Sequence, residues 1–372
     1  MSPIDSAGLM ATLKGDAVGW RELGMTHDEL LALCDGEDLH SLLFSRLAGS
    51  DHGGDWPANL VETLAQRARE DTVRELLRRD EIAKVLNELA AASTSPIVMK
   101  GTALAYTAYD TPAARPRLDT DIMIAANDRD VARGVLQRCG YSAPPYCDDL
   151  FAQFQMERTD RFGLRHVIDV HWKISTQPMF AAVLDHMGML SRAIPVPALG
   201  ASAVAPSHVD ALLLACIHPV MHHQNAERIV WTYDTHLLAS ALAQNDWSDF
   251  EARAIGARVS AVCAHELGVA RALLHTPVPD DVMRRLRAVS GEPSAEYLAS
   301  HRTWRHELAS SLRGSPRLAD RIKLVRQVVL PSQQYMLAAY GLNGKPLGAW
   351  LLPVLYVHRN ARGVWKVLAG KK

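Results

Sequence analysis

Cysteine is scarce, with five residues in 372, at positions 34, 139, 147, 216 and 263. They form no C-x-x-C pair and their number is odd, which excludes a disulfide scaffold or a clustered-cysteine zinc site and fits reduced thiols. Long hydrophobic runs are missing too: the longest, Gly348 to Val357, is too short to span a bilayer. Neither charge sign dominates, with 40 Lys+Arg against 41 Asp+Glu, so tight generic binding to nucleic acid is not expected. The opening MSPIDSAGLMATLKGD has no cationic start followed by an apolar stretch, so no secretory signal is evident and a cytoplasmic protein is expected. No repeat period or low-complexity tract is visible. What is present is the composition of an ordinary folded protein, 48% hydrophobic and 22% charged. At about 150 residues per domain, that length makes two or three packed units.

The near-zero charge hides an asymmetry. Residues 293–372 hold thirteen Lys+Arg and three acids, a balance of +10, which leaves −11 on residues 1–292. The basic C-terminal surface is therefore where an anionic partner is expected. Patterning divides the chain further. Pro57 to Ser93 lacks internal Gly and Pro and repeats apolar residues at helical spacing (Leu60, Leu64, Val73, Leu76, Leu77, Ile82, Val85, Leu89), predicting one long helix with an apolar face. Between Ser95 and Trp172 short β-like runs alternate with helical ones: Pro96–Met99, a helix over Gly101–Tyr109, a strand from Asp119, a helix opened by Asn127, and a hairpin of Phe151–Arg158 with Leu164–Trp172. From Pro206 the pattern is helical again. The expected organisation is an N-terminal helical region (1–93), an α/β core (94–200) and a C-terminal helical domain (201–372).

The sharpest chemical feature is Asp119-Thr120-Asp121. On a strand, residues two apart share a face, so both carboxylates project together, and such a pair becomes favourable when a divalent cation lies between them. Ordinary surface acids at a strand end are the plainer explanation. On sequence alone, Asp121→Asn relieves like-charge repulsion and leaves stability unchanged or higher. In Val167-Ile-Asp-Val-His-Trp172, Asp169 interrupts an apolar strand on the face shared with His171. Such a carboxylate needs a cation or a partner, Arg165 or His171 being the nearest. Upstream, Met99-Lys100-Gly101-Thr102 passes from strand into helix, where first-turn N–H groups, a hydroxyl and an ammonium suit an anion. A tight strand-to-helix turn explains the same residues.

Strand, Gly-Thr turn, helix, D-x-D strand and a later single-Asp strand is the ordering of the polymerase β-like nucleotidyltransferases. The wording "PIVMKGTALAYTAYDTPAARPRLDTDIMI" with "RHVIDVHWKI" most closely resembles the bacterial nucleotidyltransferase-like family of that superfamily. The segments "ALLLACIHPVMHH", "IVWTYDTHLLASAL" and "VVLPSQQYMLAAYG" resemble its helical part. The chain departs from the superfamily in carrying Gly101-Thr102 for the usual Gly-Ser, and in a longer spacing from that turn to Asp119. The resemblance implies an α+β fold, a polymerase β-like core with a small mixed sheet flanked by N-terminal and C-terminal helical regions. It implies a two-metal, Mg²⁺- or Mn²⁺-dependent transfer of a nucleoside monophosphate from a nucleoside triphosphate, ATP by expectation, to an acceptor hydroxyl. Asp119, Asp121 and Asp169 would be catalytic and hold the metals, with His171 behind them. Lys100, Gly101, Thr102, Arg115 and Arg117 would bind phosphate, although either arginine could equally form a salt bridge.

His218 and His222 share a helix face, but no carboxylate completes a metalloprotease pattern. A core or capping role for His218, bonded to Asp234, is the preferred reading over a zinc ligand. The tryptophans read as packing residues. The acceptor, whether protein, small molecule or RNA, is not legible. The alternative function is an inactive nucleotide-binding or partner-binding module of the same fold.

Overall fold

The structure, a computed structural model, describes residues 7–49, 55–144, 152–223, 225–298, 308, 312, 318–331, 333–342 and 348–368. Three helices come first: α1 (Ala7–Lys14), α2 (His27–Glu37) and α3 (His40–Ala48). A capping box fixes the start of α2, the Thr26 hydroxyl accepting from Glu29 N while Glu29 accepts from Thr26 N. The predicted long helix is α4 (Ala58–Ala91), whose buried residues include Leu60, Leu64, Ile82, Val85, Leu86 and Leu89. One part of its expected face is corrected: Val73 and Leu76 are 59% and 47% exposed, while Glu75 is buried. The inward stripe keeps its phase through Glu75, seven residues before Ile82, and a buried arginine meets the carboxylate there.

The sheet has six strands in the order β3-β4-β2-β1-β6-β5. They are β1 (Ile97–Met99), β2 (Thr120–Met123), β3 (Gln153–Thr159), β4 (Arg165–His171), β5 (Ile194–Pro195) and β6 (Val204–Ala205). β2 runs parallel to β4 and β1 to β6, and the remaining pairs are antiparallel. Helices α5 (Lys100–Thr107) and α6 (Arg129–Arg138) connect the early strands. The predicted hairpin is β3–β4, its turn closed by Asp160 Oδ1 accepting from Phe162 N and Leu164 N, with Gly163 at φ 80°. The predicted run began at Phe151, which lies outside the described residues. The two-residue strands β5 and β6 carry too little pattern to be read from sequence.

After the short helices α7 (Pro178–Ala181) and α8 (His186–Ser191) come α9 (His208–His222), α10 (Ile229–Ala241), α11 (Gln244–Gly256), α12 (Ser260–Leu274) and α13 (Asp280–Ala288). Ser207 caps α9 by accepting from Asp210 N. Two apolar clusters result. One packs the sheet residues Val98, Ile122, Ile124, Phe154, Ile168 and Val170 against the second half of α4 and against α6. The other joins α1–α3 to α9–α13 and takes Ile97, Met99 and Met123 from the sheet. The sheet is thus covered on both faces, each fully buried Leu or Ile contributing about 1.5–3 kcal/mol.

The C-terminal part holds α14 (Leu318–Val329), α15 (Gln333–Ala339) and α16 (Gly348–Leu368). Tyr356 Oη donates to Pro331 O and Arg359 Nη1 to Val328 O, tying α16 to the end of α14. Of the basic residues counted there, Arg302, Arg305, Arg313, Arg317, Lys345, Lys371 and Lys372 lie outside the described residues. Among the described residues, no helix is long and apolar enough to cross a membrane.

Candidate active site

β2 and β4 lie side by side with Asp121 opposite Asp169. Register partners on parallel strands project to the same side, and His171, two residues after Asp169, follows it there. The alternate residues Ile122, Ile168 and Val170 belong to the apolar cluster against α4 and α6, which leaves the acids on the other face. Oxygen atoms of Asp121 and Asp169 and a ring nitrogen of His171 all lie within 4.8 Å of one another. Asp121 Oδ1 is 2.8 Å from His171 Nε2 and 2.7 Å from Lys100 Nζ. Asp169 Oδ1 is buried and has no hydrogen-bond partner among the described residues. Asp119, just ahead of β2, is exposed and stands outside the tight trio.

The electrostatics separate the three carboxylates. Burial pushes the Asp169 carboxyl up, Asp121 and Asp119 push it further, and it titrates at about 6. Burial acts on Asp121 in the same direction, but Lys100 and the His171 hydrogen bond override it and hold this carboxyl well below the usual range. The protein mass around Asp119 and then Asp121 raise its pKa, against Lys100. Burial, then Lys100, lower that of His171, so the ring is neutral. With Asp121 ionised, the shared proton belongs to His171 Nε2, which donates.

Lys100 opens α5 directly after β1, with its own backbone in the left-handed region at φ 50°. Gly101 packs flat on Arg115, a Cβ there falling 3.5 Å from the guanidinium carbon. Arg115 is turned onto Asp234 of α10, with Nε donating to Oδ1 at 2.9 Å and Nη2 to Oδ2 at 2.8 Å, and Tyr109 Oη also donates to Oδ1. Arg117 is turned onto Glu75 of α4, with both terminal nitrogens at 2.8 Å from its oxygens, while Nε donates to Thr102 Oγ1 at 2.9 Å. Tyr106 Oη bonds the same Glu75 carboxylate. Thr102 Oγ1 in turn donates a long bond to Asp119 O. Both arginines therefore flank the Gly-Thr turn with their donors committed inside the protein. Each arginine thus forms a salt bridge, in the interior rather than at the surface.

The expected bond from His218 to Asp234 is not made. Asp234 is filled by Arg115 and Tyr109, and His218 Nδ1 has no hydrogen-bond partner among the described residues. The His218 ring instead meets those of His222, His223 and Trp231. A small cavity of about 50 Å³ is lined by Lys100, Gly101, Arg115, His218, Trp231 and Asp234. Glu75 escaped the sequence reading, although its place in the phase of an apolar stripe was a usable signal. Asp234 is legible there as a buried partner, but its partners are Arg115 and Tyr109 rather than His218.

A family model described as "Uncharacterised nucleotidyltransferase" matches residues 24–275, which is more than half of the chain and contains every candidate residue named above. No curated protein matches the chain.

Proposed function

As the chain belongs to this uncharacterised nucleotidyltransferase family, we propose that it moves a nucleoside monophosphate from a nucleoside triphosphate, ATP in our reading, to a hydroxyl of its acceptor. The observation that carries this is the buried trio Asp121, Asp169 and His171 beside the turn that opens α5. Two carboxylates on one face suit a divalent cation, and Asp169 Oδ1 is a buried acceptor that such an ion would satisfy. Asp121 and Asp169 would hold it, with His171 orienting Asp121 through its Nε2 proton and Asp119 as a further carboxylate nearby. When bound, Mg²⁺ or Mn²⁺ supplies Lewis-acid polarisation of phosphoryl and hydroxyl oxygens.

The chain's own groups divide the remaining work. The first-turn N–H groups at Gly101 and Thr102 and the Lys100 ammonium bind the triphosphate. Asp169 takes the acceptor's proton as the new bond to the α-phosphorus forms and the bond to the bridging oxygen breaks, releasing pyrophosphate. Arg115 and Arg117 hold the turn in shape through Asp234 and Glu75, so that the N–H groups are fixed before substrate arrives. The complete acid set favours an enzyme over a binding module of the same fold.

The test incubates the protein with each α-labelled nucleoside triphosphate, Mg²⁺ or Mn²⁺, and cell lysate fractionated into protein, RNA and small molecules. The expected outcome is one labelled class, with label lost in Asp121→Asn and Asp169→Asn. Triphosphate binding without label in any class would instead identify a binding module.

A further inference from the structure

Lys100 is held in place by more than its sequence neighbours. Its backbone takes a left-handed conformation uncommon for a residue with a side chain, at φ 50°. The side chain is only 16% exposed, and its ammonium reaches Asp121 Oδ1 at 2.7 Å, the oxygen that His171 Nε2 also bonds at 2.8 Å. The lysine thus places a positive charge on the carboxylate that a divalent ion would have to ligate. Two cations cannot share that oxygen at bonding distance without strong repulsion.

We propose that Lys100 is a built-in competitor for the metal, pairing with Asp121 until a divalent ion displaces it and so releases the ammonium for the triphosphate. This rests on the metal site proposed above. Lys100 bridges the two places involved, because it also opens α5, whose first-turn N–H groups at Gly101 and Thr102 are the ones assigned to the triphosphate. Displacement turns one group from an opponent of the ion into a ligand for phosphate. Metal and polyphosphate then bind with positive coupling: each makes the other's site available, and the coupling must be equal in both directions. Lys100 is a positioning residue in this scheme, acting on the ion through Asp121.

The experiment titrates Mn²⁺ into the full chain and follows the free-ion electron paramagnetic resonance signal, with and without inorganic tripolyphosphate. Wild type, Lys100→Met, Lys100→Gln and Asp121→Asn are compared. Losing a charge-assisted partner of Asp121 should tighten Mn²⁺ binding about tenfold in both lysine variants without tripolyphosphate. Tripolyphosphate should tighten Mn²⁺ binding in wild type by more than in those variants. A thermal melt separates this from a merely structural lysine: the variants should be less stable in chelator and regain that loss when Mn²⁺ is added. Equal or weaker Mn²⁺ binding in both variants, or a stability loss that Mn²⁺ does not restore, overturns the competition while leaving the site intact. Wild-type Mn²⁺ affinity that Asp121→Asn does not change overturns the site and, with it, this inference.

Discussion

Asp121 and Asp169 face each other across two strands, yet their chemistry differs in sign. Asp169 titrates at about 6, above its ordinary 3.8, so the native state favours its protonated form. Its ionisation therefore costs stability, nothing below pH 4, increasingly between 4 and 6, and the full amount above. We expect Asp169→Asn, in chelator, to raise Tm at pH 8 by a stabilisation on the order of 1–3 kcal/mol and to leave it unchanged at pH 4. A fall in Tm at pH 8 would contradict the burial argument. The same proton competes with a cation, so Mn²⁺ affinity measured calorimetrically should weaken as pH drops through about 6. Asp121 behaves oppositely. From sequence only its repulsion with Asp119 was visible, and Asp121→Asn looked harmless to stability. The structure places Lys100 Nζ on it, so the substitution strands a largely buried ammonium. The expected outcome in a denaturant melt at pH 7.5 is a loss of roughly 2–3 kcal/mol. That Asp121, Asp169 and His171 share a face was legible because strand alternation fixes it, whereas Asp119 lies ahead of β2 and outside the trio. The Lys100 contact was not legible, because it depends on how β1 and β2 pair.

Helix α4 shows how far periodicity carries at the scale of an element. The lack of Gly and Pro announced its length, and the apolar spacing announced both of its ends. In the middle, apolar character alone points to Val73 and Leu76, whereas the phase set by Leu64 and Ile82 selects Glu75. An acid in that phase is a sign that a cation will come from elsewhere in the chain. Its partner Arg117 also holds the hydroxyl of Thr102. Glu75→Gln should therefore cost about 3 kcal/mol by stranding a buried guanidinium. It should also raise KM for the triphosphate, because the turn loses its brace. Val73→Ala, on the exposed side of the same helix, should change Tm by less than the equivalent of about 0.5 kcal/mol. An equal effect from both substitutions would mean that Glu75 is only one of many packing residues. The short strands β5 and β6 were invisible for a different reason, since two residues cannot establish an alternation.

Across the whole molecule, the basic excess lies in residues 293–372 and the acidic excess before them. If the basic surface attracts an anionic acceptor, kcat/KM should fall with ionic strength, and Arg326→Gln with Arg362→Gln should flatten that dependence. A rate insensitive to salt in both proteins would leave this surface as a solvated face. Apolar packing joins parts far apart in the chain, because α1–α3 and α9–α13 share one cluster. The charged pairs do the same with greater selectivity. Glu75 lies before the sheet, Arg117 and Arg115 within its connections, and Asp234 in the helices after it, and the two pairs meet at one turn. This limits how the gene can be rearranged. A crossover between distant relatives anywhere from codon 75 to codon 234 brings together halves with separate histories. Unless both parents keep the same acids and arginines, the hybrid inherits a buried charge with no counterpart. Within this span the chain should be transmitted as a block, while exchanges beyond it are free of that constraint.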